Sequence, residues 1–300
     1  MKSFSRREFT KLSLSALSMA GLPGVFAADA SKKPNSKVAG VQLGINVPYS
    51  FADAKMSGDE VLKKCIQLDL SAVELRTQPV EAFLGIPDTK DAAELARWRK
   101  SAPIERAREF RKNYENAGVL IEIVKVDGIF KMTDDELNYV FKLAKILGGR
   151  AISTEISNKQ EDLKRVGSFA DEHQLMVGYH GHAATGPDHW EKAFALANHN
   201  GANVDLGHFV AGNHGSPAGF IEKYHNRVTH VHLKDRKKNN GPNVPFGEGD
   251  TPIAEILQLI RNNKWNIQGT IEFEYKIPAD SDRMTEIARA LKYCREALAA

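Results

Sequence analysis

Val228-Thr229-His230-Val231-His232-Leu233-Lys234-Asp235 alternates apolar and polar side chains along one short run. In an extended chain successive side chains point to opposite faces. Val231 and Leu233 therefore share one face, and His230, His232 and Lys234 share the other. Just before it lies a helix-like stretch, Ala218–Tyr224, and just after it a polar loop, Arg236–Asp250, rich in glycine and asparagine. A second helix-like stretch, Ile253–Asn262, then leads to another alternating run, Gly269–Tyr275.

The same unit recurs outward in both directions. Short apolar runs occupy Val41–Val47, Ala72–Arg76, Leu120–Val126, Ala151–Ile156, Leu175–His182 and Ala202–Phe209. Helix-like stretches separate them: Asp59–Leu68, Ala92–Ala117, Thr133–Leu147, Lys159–Glu172 and Asp188–Asn198, with a last one at Arg283–Ala299. Strands alternating with helices argue for parallel βαβ units. Eight of them in roughly 250 residues is the size of a TIM barrel. An open doubly wound sheet announces itself with a glycine-rich phosphate loop after the first strand; here that strand ends Gly44-Ile45-Asn46-Val47-Pro48. The expected class is α/β, a single-domain (β/α)8 TIM barrel over residues 38–300, preceded by a linker at 31–37. The loop Arg236–Asp250 follows the seventh strand and so belongs on the catalytic face.

In such a barrel the apolar strand faces meet the helices and the polar faces point inward. The inward set contains Glu74 and Arg76 on the second strand, Glu155 on the fourth, His180 and His182 on the fifth, and Asp205 on the sixth. His232 and Lys234 on the seventh and Glu272 and Glu274 on the eighth complete it. Carboxylates and imidazoles converging in a barrel are costly unless compensated, and a bound cation compensates them. Mixed carboxylate and imidazole donors suit one divalent ion, Mn, Zn, Co or Mg. Asp205, His232 and Glu274 offer three ligand types from three strands and are the expected core of the site. Glu272, deeper along its strand, reads as an ion-pair partner, and Glu74 and Arg76 as either a mutual pair or substrate contacts.

Val204-Asp205-Leu206-Gly207-His208, His230-Val231-His232-Leu233-Lys234-Asp235, Gly247-Glu248-Gly249-Asp250 and Ile271-Glu272-Phe273-Glu274-Tyr275 resemble the xylose isomerase-like TIM barrels. That group contains sugar isomerases and epimerases, inosose dehydratases and 3-keto-glycoside-processing enzymes. The resemblance implies Asp205, His232 and Glu274 as metal ligands, and His208 and Lys234 as residues facing substrate. The epimerases of the group place a glutamate at the end of the fifth strand, where Tyr179-His180-Gly181-His182 stands here. Glu155, next door, is the expected fourth ligand ahead of His180. Catalytic roles then fall to Glu155, Glu274, His182 and Lys234, and substrate contacts to Glu74, Arg76, His180 and His208.

The implied function is that of an isomerase or epimerase, abstracting a proton next to the carbonyl of a sugar or keto-sugar. Metal-dependent β-elimination or hydration, as in a dehydratase or a 3-keto-glycoside lyase or hydrolase, shares that first step. A sugar-binding barrel without catalysis is the remaining class.

Composition bounds the partners. The chain has 300 residues, 42% hydrophobic and 26% charged, with a formal net charge of +3. Ser5-Arg6-Arg7-Glu8-Phe9-Thr10-Lys11, an apolar run from Leu12 to Phe26, and small residues around Ala27 form a twin-arginine signal pattern within residues 1–30. Its four basic residues, Lys2, Arg6, Arg7 and Lys11, against Glu8 leave +3, which is the whole excess of the chain. The mature protein is then near neutral, which argues against a nucleic-acid partner and against the DNA-repair endonuclease branch of the same superfamily. The expected location is the periplasm, reached through the Tat translocase, or the membrane surface if the signal is retained. Homo-oligomerisation is left open. Cys65 and Cys294, the two cysteines, read as buried thiols.

Overall fold

The computed structural model describes residues 33–300; the twin-arginine segment lies outside the described residues. A short strand, β1 (Lys37–Val38), pairs antiparallel with β2 (Val41–Val47). The strands that follow are β3 (Ala72–Arg76), β4 (Leu120–Lys125), β5 (Ala151–Glu155), β6 (Met176–His180), β7 (Asn200–Asp205), β8 (Val228–Leu233) and β9 (Gln268–Ile271). Each from β2 onward pairs in parallel with the next. Leu43↔Gly269 and Ile45↔Ile271 then pair β2 with β9 and close the ring. The result is an eight-stranded parallel barrel, a single-domain (β/α)8 TIM barrel.

The helices are α1 (Gly58–Gln67), α2 (Thr77–Leu84), α3 (Ala92–Ser101), α4 (Ala107–Ala117), α5 (Asp134–Leu147), α6 (Gln160–His173), α7 (Pro187–Phe194), α8 (Leu206–Ala211), α9 (Pro217–Tyr224), α10 (Ile253–Asn263) and α11 (Arg283–Ala299). Their starts follow local chemistry. Ser57 and Glu60 form a capping box on α1, and Thr133 and Glu136 form one on α5; each box satisfies two otherwise orphaned helix N–H groups. The stretch expected as one helix over Ala92–Ala117 is broken at Ala102-Pro103, because proline disfavours helical geometry in the residue before it. The expected strand Ala202–Phe209 ends at Asp205, and α8 begins at the next residue.

Outward strand side chains such as Val73, Leu75, Ile152, Val177, Val204, Val231 and Leu233 are buried against the helices. The barrel interior is polar: Asn46, Glu74, Ser153, Asn203, His230, His232 and Thr270 are all fully buried. A polar barrel interior is stable only if its groups satisfy one another or a ligand. Arg99 pins the outer shell, pairing with Glu81 at 2.8 Å and with Glu136 at 2.8 Å. Cys65 and Cys294 are free and buried. Among the described residues, no helix is long and apolar enough to cross a membrane.

Candidate metal centre and substrate cavity

Strand register sets which side chains meet. Asp205 on β7 is the register partner of His232 on β8, and His232 is the partner of Thr270 on β9. Glu272 follows Thr270 by two residues and lies just beyond the end of β9. Together with His180, the last residue of β6, these side chains form a buried group: His180, Asp205, His232 and Glu272. The separations between facing donors are 3.3 Å for His232 Nδ1 and Glu272 Oε2, 3.5 Å for His180 Nε2 and Asp205 Oδ2, 3.8 Å for His232 Nδ1 and Asp205 Oδ2, and 4.0 Å for His180 Nε2 and Glu272 Oε2. Tetrahedral ligands at about 2.0–2.1 Å from one ion stand about 3.3 Å apart, so these donors need to close by only a few tenths of an ångström.

The remaining atoms of the carboxylates are held. Asp205 Oδ1 accepts the His208 N–H at 2.7 Å and thereby caps α8, leaving Oδ2 for the group. Glu272 Oε1 accepts from Asn46 Nδ2 at 3.0 Å, leaving Oε2. His232 Nδ1 is buried without a hydrogen-bond partner, and Glu272 Oε2, 3.3 Å from it, is met by the Lys234 ammonium at 2.7 Å. An orphaned imidazole nitrogen facing buried carboxylate oxygens in a mixed imidazole and carboxylate set fits a divalent cation.

Two further carboxylate–histidine groups border this one. Glu74 Oε2 lies 2.6 Å from His232 Nε2, and Glu155 Oε2 lies 2.7 Å from His182 Nε2 and 3.1 Å from His180 Nδ1. Contacts of 2.6–2.7 Å are hydrogen-bond lengths, and the donors of each of these groups also lie close enough together to hold an ion. Glu155, expected as the fourth ligand, is not one of the four buried facing donors; it stands on the other side of His180, where the buried Lys125 also pairs with it at 2.7 Å. Burial works against its charge, but His180, His182 and Lys125 outweigh this and hold its carboxyl far below the usual range. Glu74 is fully buried beneath His232 and His230 and does not pair with Arg76. Arg76 sits at the rim, against Asp127 and over the Tyr49 ring.

Glu274 lies outside the four-donor group, four residues past the level of His232. Tyr49 donates its hydroxyl proton to Glu274 Oε1 at 2.6 Å, and Asn243 Nδ2 donates to Oε2 at 3.3 Å. Lys234 Nζ lies 2.7 Å from Glu274 Oε2, 2.7 Å from Glu272 Oε2 and 3.1 Å from Asp205 Oδ2. Burial opposes the charge of this ammonium, but the three carboxylates outweigh it and keep the lysine protonated. His232 is governed the same way: burial lowers it, Glu272 and Glu74 raise it more, and it is pushed up to about 10.

His208, on α8, faces Lys234 Nζ at 3.2 Å through Nε2 and Arg236 Nη1 at 2.7 Å through Nδ1. Burial, helped by Lys234, His180 and His182, outweighs the opposing Asp205 carboxylate and lowers it to about 4, so it is a neutral imidazole near pH 7. His182 is exposed, and its hydrogen bond to Glu155 raises its pKa above the ordinary value. Both histidines open onto a cavity of about 710 Å³, also lined by Ala183, Ala184, Ala211, Gly212, Asn213, Arg236, Asn239 and Asn240. The loop after β8 supplies part of that wall, as its place in the sequence implied. Asp235 folds it, with Oδ2 accepting the Gly247 and Gly249 N–H groups at 2.8 and 2.9 Å and Oδ1 accepting that of Thr251 at 3.2 Å. A Cβ on Gly249 would stand 1.8 Å from Asp235 Oδ1, which excludes any other residue there without rearrangement.

Sequence reasoning passed over Lys125, Asn46 and Tyr49. Asn46 and Lys125 carried a signal, each being a polar residue inside an apolar strand run. Tyr49 carried none, because it enters from the loop beyond β2.

Residues 104–297 match the family described as the xylose isomerase-like TIM barrel, and the chain belongs to that family. Among curated proteins it is similar to the inosose dehydratase of Clostridium tetani, 27% identical over 156 residues, which are 45% of this chain and 52% of that protein. The chain thus spans about half the length of that relative. Among solved structures it superposes on the 3-keto-D-glucoside 4-epimerase of E. coli with a TM-score of 0.59 at 11% identity, covering 85% of this chain and 99% of that one. It superposes equally on the IolI protein solved with a zinc atom, with a TM-score of 0.59 at 13% identity, covering 86% and 98%. At these identities the solved structures show the shared fold.

Proposed function

We propose that this chain is a divalent-metal-dependent enzyme that removes a proton from the carbon beside the carbonyl of a sugar or keto-sugar, in the manner of an isomerase or epimerase. The observation that carries this is the buried His180, Asp205, His232 and Glu272 group beside a cavity at the C-terminal ends of the strands. That is the end where TIM barrels carry their chemistry. Held by those four residues, Mn, Zn, Co or Mg would supply Lewis-acid stabilisation of negative charge developing on substrate oxygens.

The protein groups divide between two walls. Glu274 and Lys234 lie on the β8–β9 side, and Glu155 and His182 on the β5–β6 side, three strands away in a ring of eight. Glu274, steadied by Tyr49 and Asn243, is placed to accept the proton from carbon. His182, kept protonated to higher pH by Glu155, is placed to return a proton from the other wall. Lys234 and the neutral His208 face the substrate oxygens between them, and the amides of Asn213, Asn239 and Asn240 suit sugar hydroxyls.

A second reading is β-elimination, with His182 protonating a departing hydroxyl instead of a carbon. His182 as an exposed acid on the cavity favours it, as does the likeness to inosose dehydratase. Export to the periplasm by the twin-arginine route is proposed from residues 1–30 alone.

Incubating the metal-loaded protein with keto-sugars, inososes and 3-keto-glucosides in D2O tests these readings. Isomerisation or epimerisation gives deuterium at the carbon next to the carbonyl with no other change of composition, and elimination gives loss of water, or of the aglycone from a 3-keto-glucoside. Absence of both exchange and turnover across all four metals refutes the proposal.

A further inference from the structure

Each imidazole of the four-donor group has a carboxylate at its back, and the two face the group through different nitrogens. His180 turns Nε2 toward Asp205 and Glu272, while its Nδ1 lies 3.1 Å from Glu155 Oε2. His232 turns Nδ1 toward Glu272 and Asp205, while its Nε2 lies 2.6 Å from Glu74 Oε2. A neutral imidazole carries one N–H and one lone pair, and the hydrogen bond at one nitrogen decides which atom carries the lone pair. A carboxylate can only accept, and carboxylates face both nitrogens of each imidazole; the nearer one, Glu74 at 2.6 Å against Glu272 at 3.3 Å for His232 and Glu155 at 3.1 Å against Asp205 at 3.5 Å for His180, holds the N–H.

We infer that Glu74 and Glu155 are positioning residues that hold His232 and His180 in opposite tautomers, so that a metal is bound through Nδ1 of His232 and Nε2 of His180. This rests on the metal-site reading above. Glu155 has a further partner that keeps it in place, Lys125 at 2.7 Å on Oε1, and Glu74 is held by its own full burial, with His230 Nε2 3.4 Å from Oε2. Glu155 Oε2 also accepts from His182, so one oxygen joins a ligand histidine to the histidine that lines the cavity. The position of Glu74 is independent of the cavity, since it is fully buried deep in the barrel. Its function is therefore exerted on His232 and not on substrate.

The test compares the full chain with Glu74→Gln and Glu155→Gln, each isosteric and each still able to accept a hydrogen bond without the charge. A charged acceptor makes a hydrogen bond roughly twice as strong as a neutral one, and losing an outer carboxylate typically weakens metal binding by about 10–100-fold. Zinc affinity is read by competition with a chromogenic chelator, after circular dichroism has shown each variant folded. The expected result is a Kd about 10–100-fold weaker in each variant. Long-range 15N–1H spectra of the zinc-loaded wild-type chain, labelled at histidine, are expected to show the proton on Nε2 of His232 and on Nδ1 of His180. A purely structural role for the two glutamates would not set that pair of signatures. Coordination of either histidine through the other nitrogen, or Kd values within threefold of wild type in both variants, overturns the inference. If Glu74→Gln does not fold, Glu155→Gln at the partly exposed rim decides by the same criterion. A wild-type chain that takes up no zinc overturns the metal-site reading itself, an outcome distinct from zinc binding that ignores the substitutions.

Discussion

Replacing Lys234 by methionine should tighten metal binding. The Lys234 ammonium touches Asp205 Oδ2 at 3.1 Å and Glu272 Oε2 at 2.7 Å, the two oxygens that also face the imidazoles. An ion about 2.0–2.2 Å from those same oxygens would lie within about 5 Å of Nζ. At an effective dielectric of about 20, a divalent ion and an ammonium about 4.5 Å apart repel by about 7 kcal/mol. If the lysine turned fully out to solvent the figure would fall to about 2 kcal/mol. Even the lower value corresponds to roughly a 20-fold change in Kd. Lys234→Met, of similar length and no charge, should therefore bind zinc at least tenfold more tightly at pH 8, measured by chelator competition. The metal-free variant should be less stable, by about 3 kcal/mol or more, because three carboxylates lose their cation. Its melting temperature should fall by about 6–12 °C, and zinc should recover more of it than in the wild type. An unchanged or weaker zinc affinity in a folded Lys234→Met variant would refute the reasoning, since it would make the ammonium a partner of the ion and not its rival.

Other consequences can be checked separately. Asp205→Asn keeps an oxygen to cap α8 through the His208 N–H but loses the charged donor and one of the three carboxylates on Lys234; zinc affinity should fall by about 100-fold or more, and equal zinc affinity in the folded variant would remove Asp205 from the site. Arg99→Met should destabilise the fold by about 3 kcal/mol in urea unfolding, because Glu81 and Glu136 are left as uncompensated buried charges. For Glu136, burial raises the pKa, but the Thr133 N–H and hydroxyl and the Arg99 guanidinium outweigh it and hold the carboxyl below its usual value. Its folded pKa thus lies below its unfolded one, so its contribution is fully present above about pH 4.3 and is lost as pH falls through the folded value; Glu136→Gln should flatten the fall in urea midpoint between about pH 5 and 3. Gly249→Ala forces a Cβ onto Asp235; limited proteolysis should cut the 236–251 loop faster than in wild type, with the barrel strands still protected.

Much of the architecture is readable from side-chain pattern. The runs Val41–Val47 and Ala72–Arg76 are strands at those same bounds, and Arg283–Ala299 is a helix at its expected bounds. These succeed because burial of one face writes a period into the sequence. Reading fails where the chain leaves its regular element. Alternation was carried past Ile271, where β9 ends, so Glu272 and Glu274 were ranked by a strand geometry that no longer applies to them. Likewise Ala202–Phe209 is apolar enough to look like one strand, but Asp205 caps a helix there, and that turn is what swings His208 toward the cavity.

By itself, the sequence determined the eight βα units, the inward placement of an imidazole- and carboxylate-rich set, and the long loop on the catalytic face. Each is a local property, carried by alternation, by capping residues and by glycine in a turn. Only the tertiary structure decided how that set divides between donors that face one another and carboxylates that stand behind them. That division depends on register across strands far apart in sequence, such as Asp205↔His232 and His232↔Thr270, and a shift of two residues along a strand moves a side chain by about 7 Å. No pattern within one strand records that height. It therefore took the closed barrel to place Glu272 with the imidazoles, Glu274 above them, and Glu74 and Glu155 at their backs.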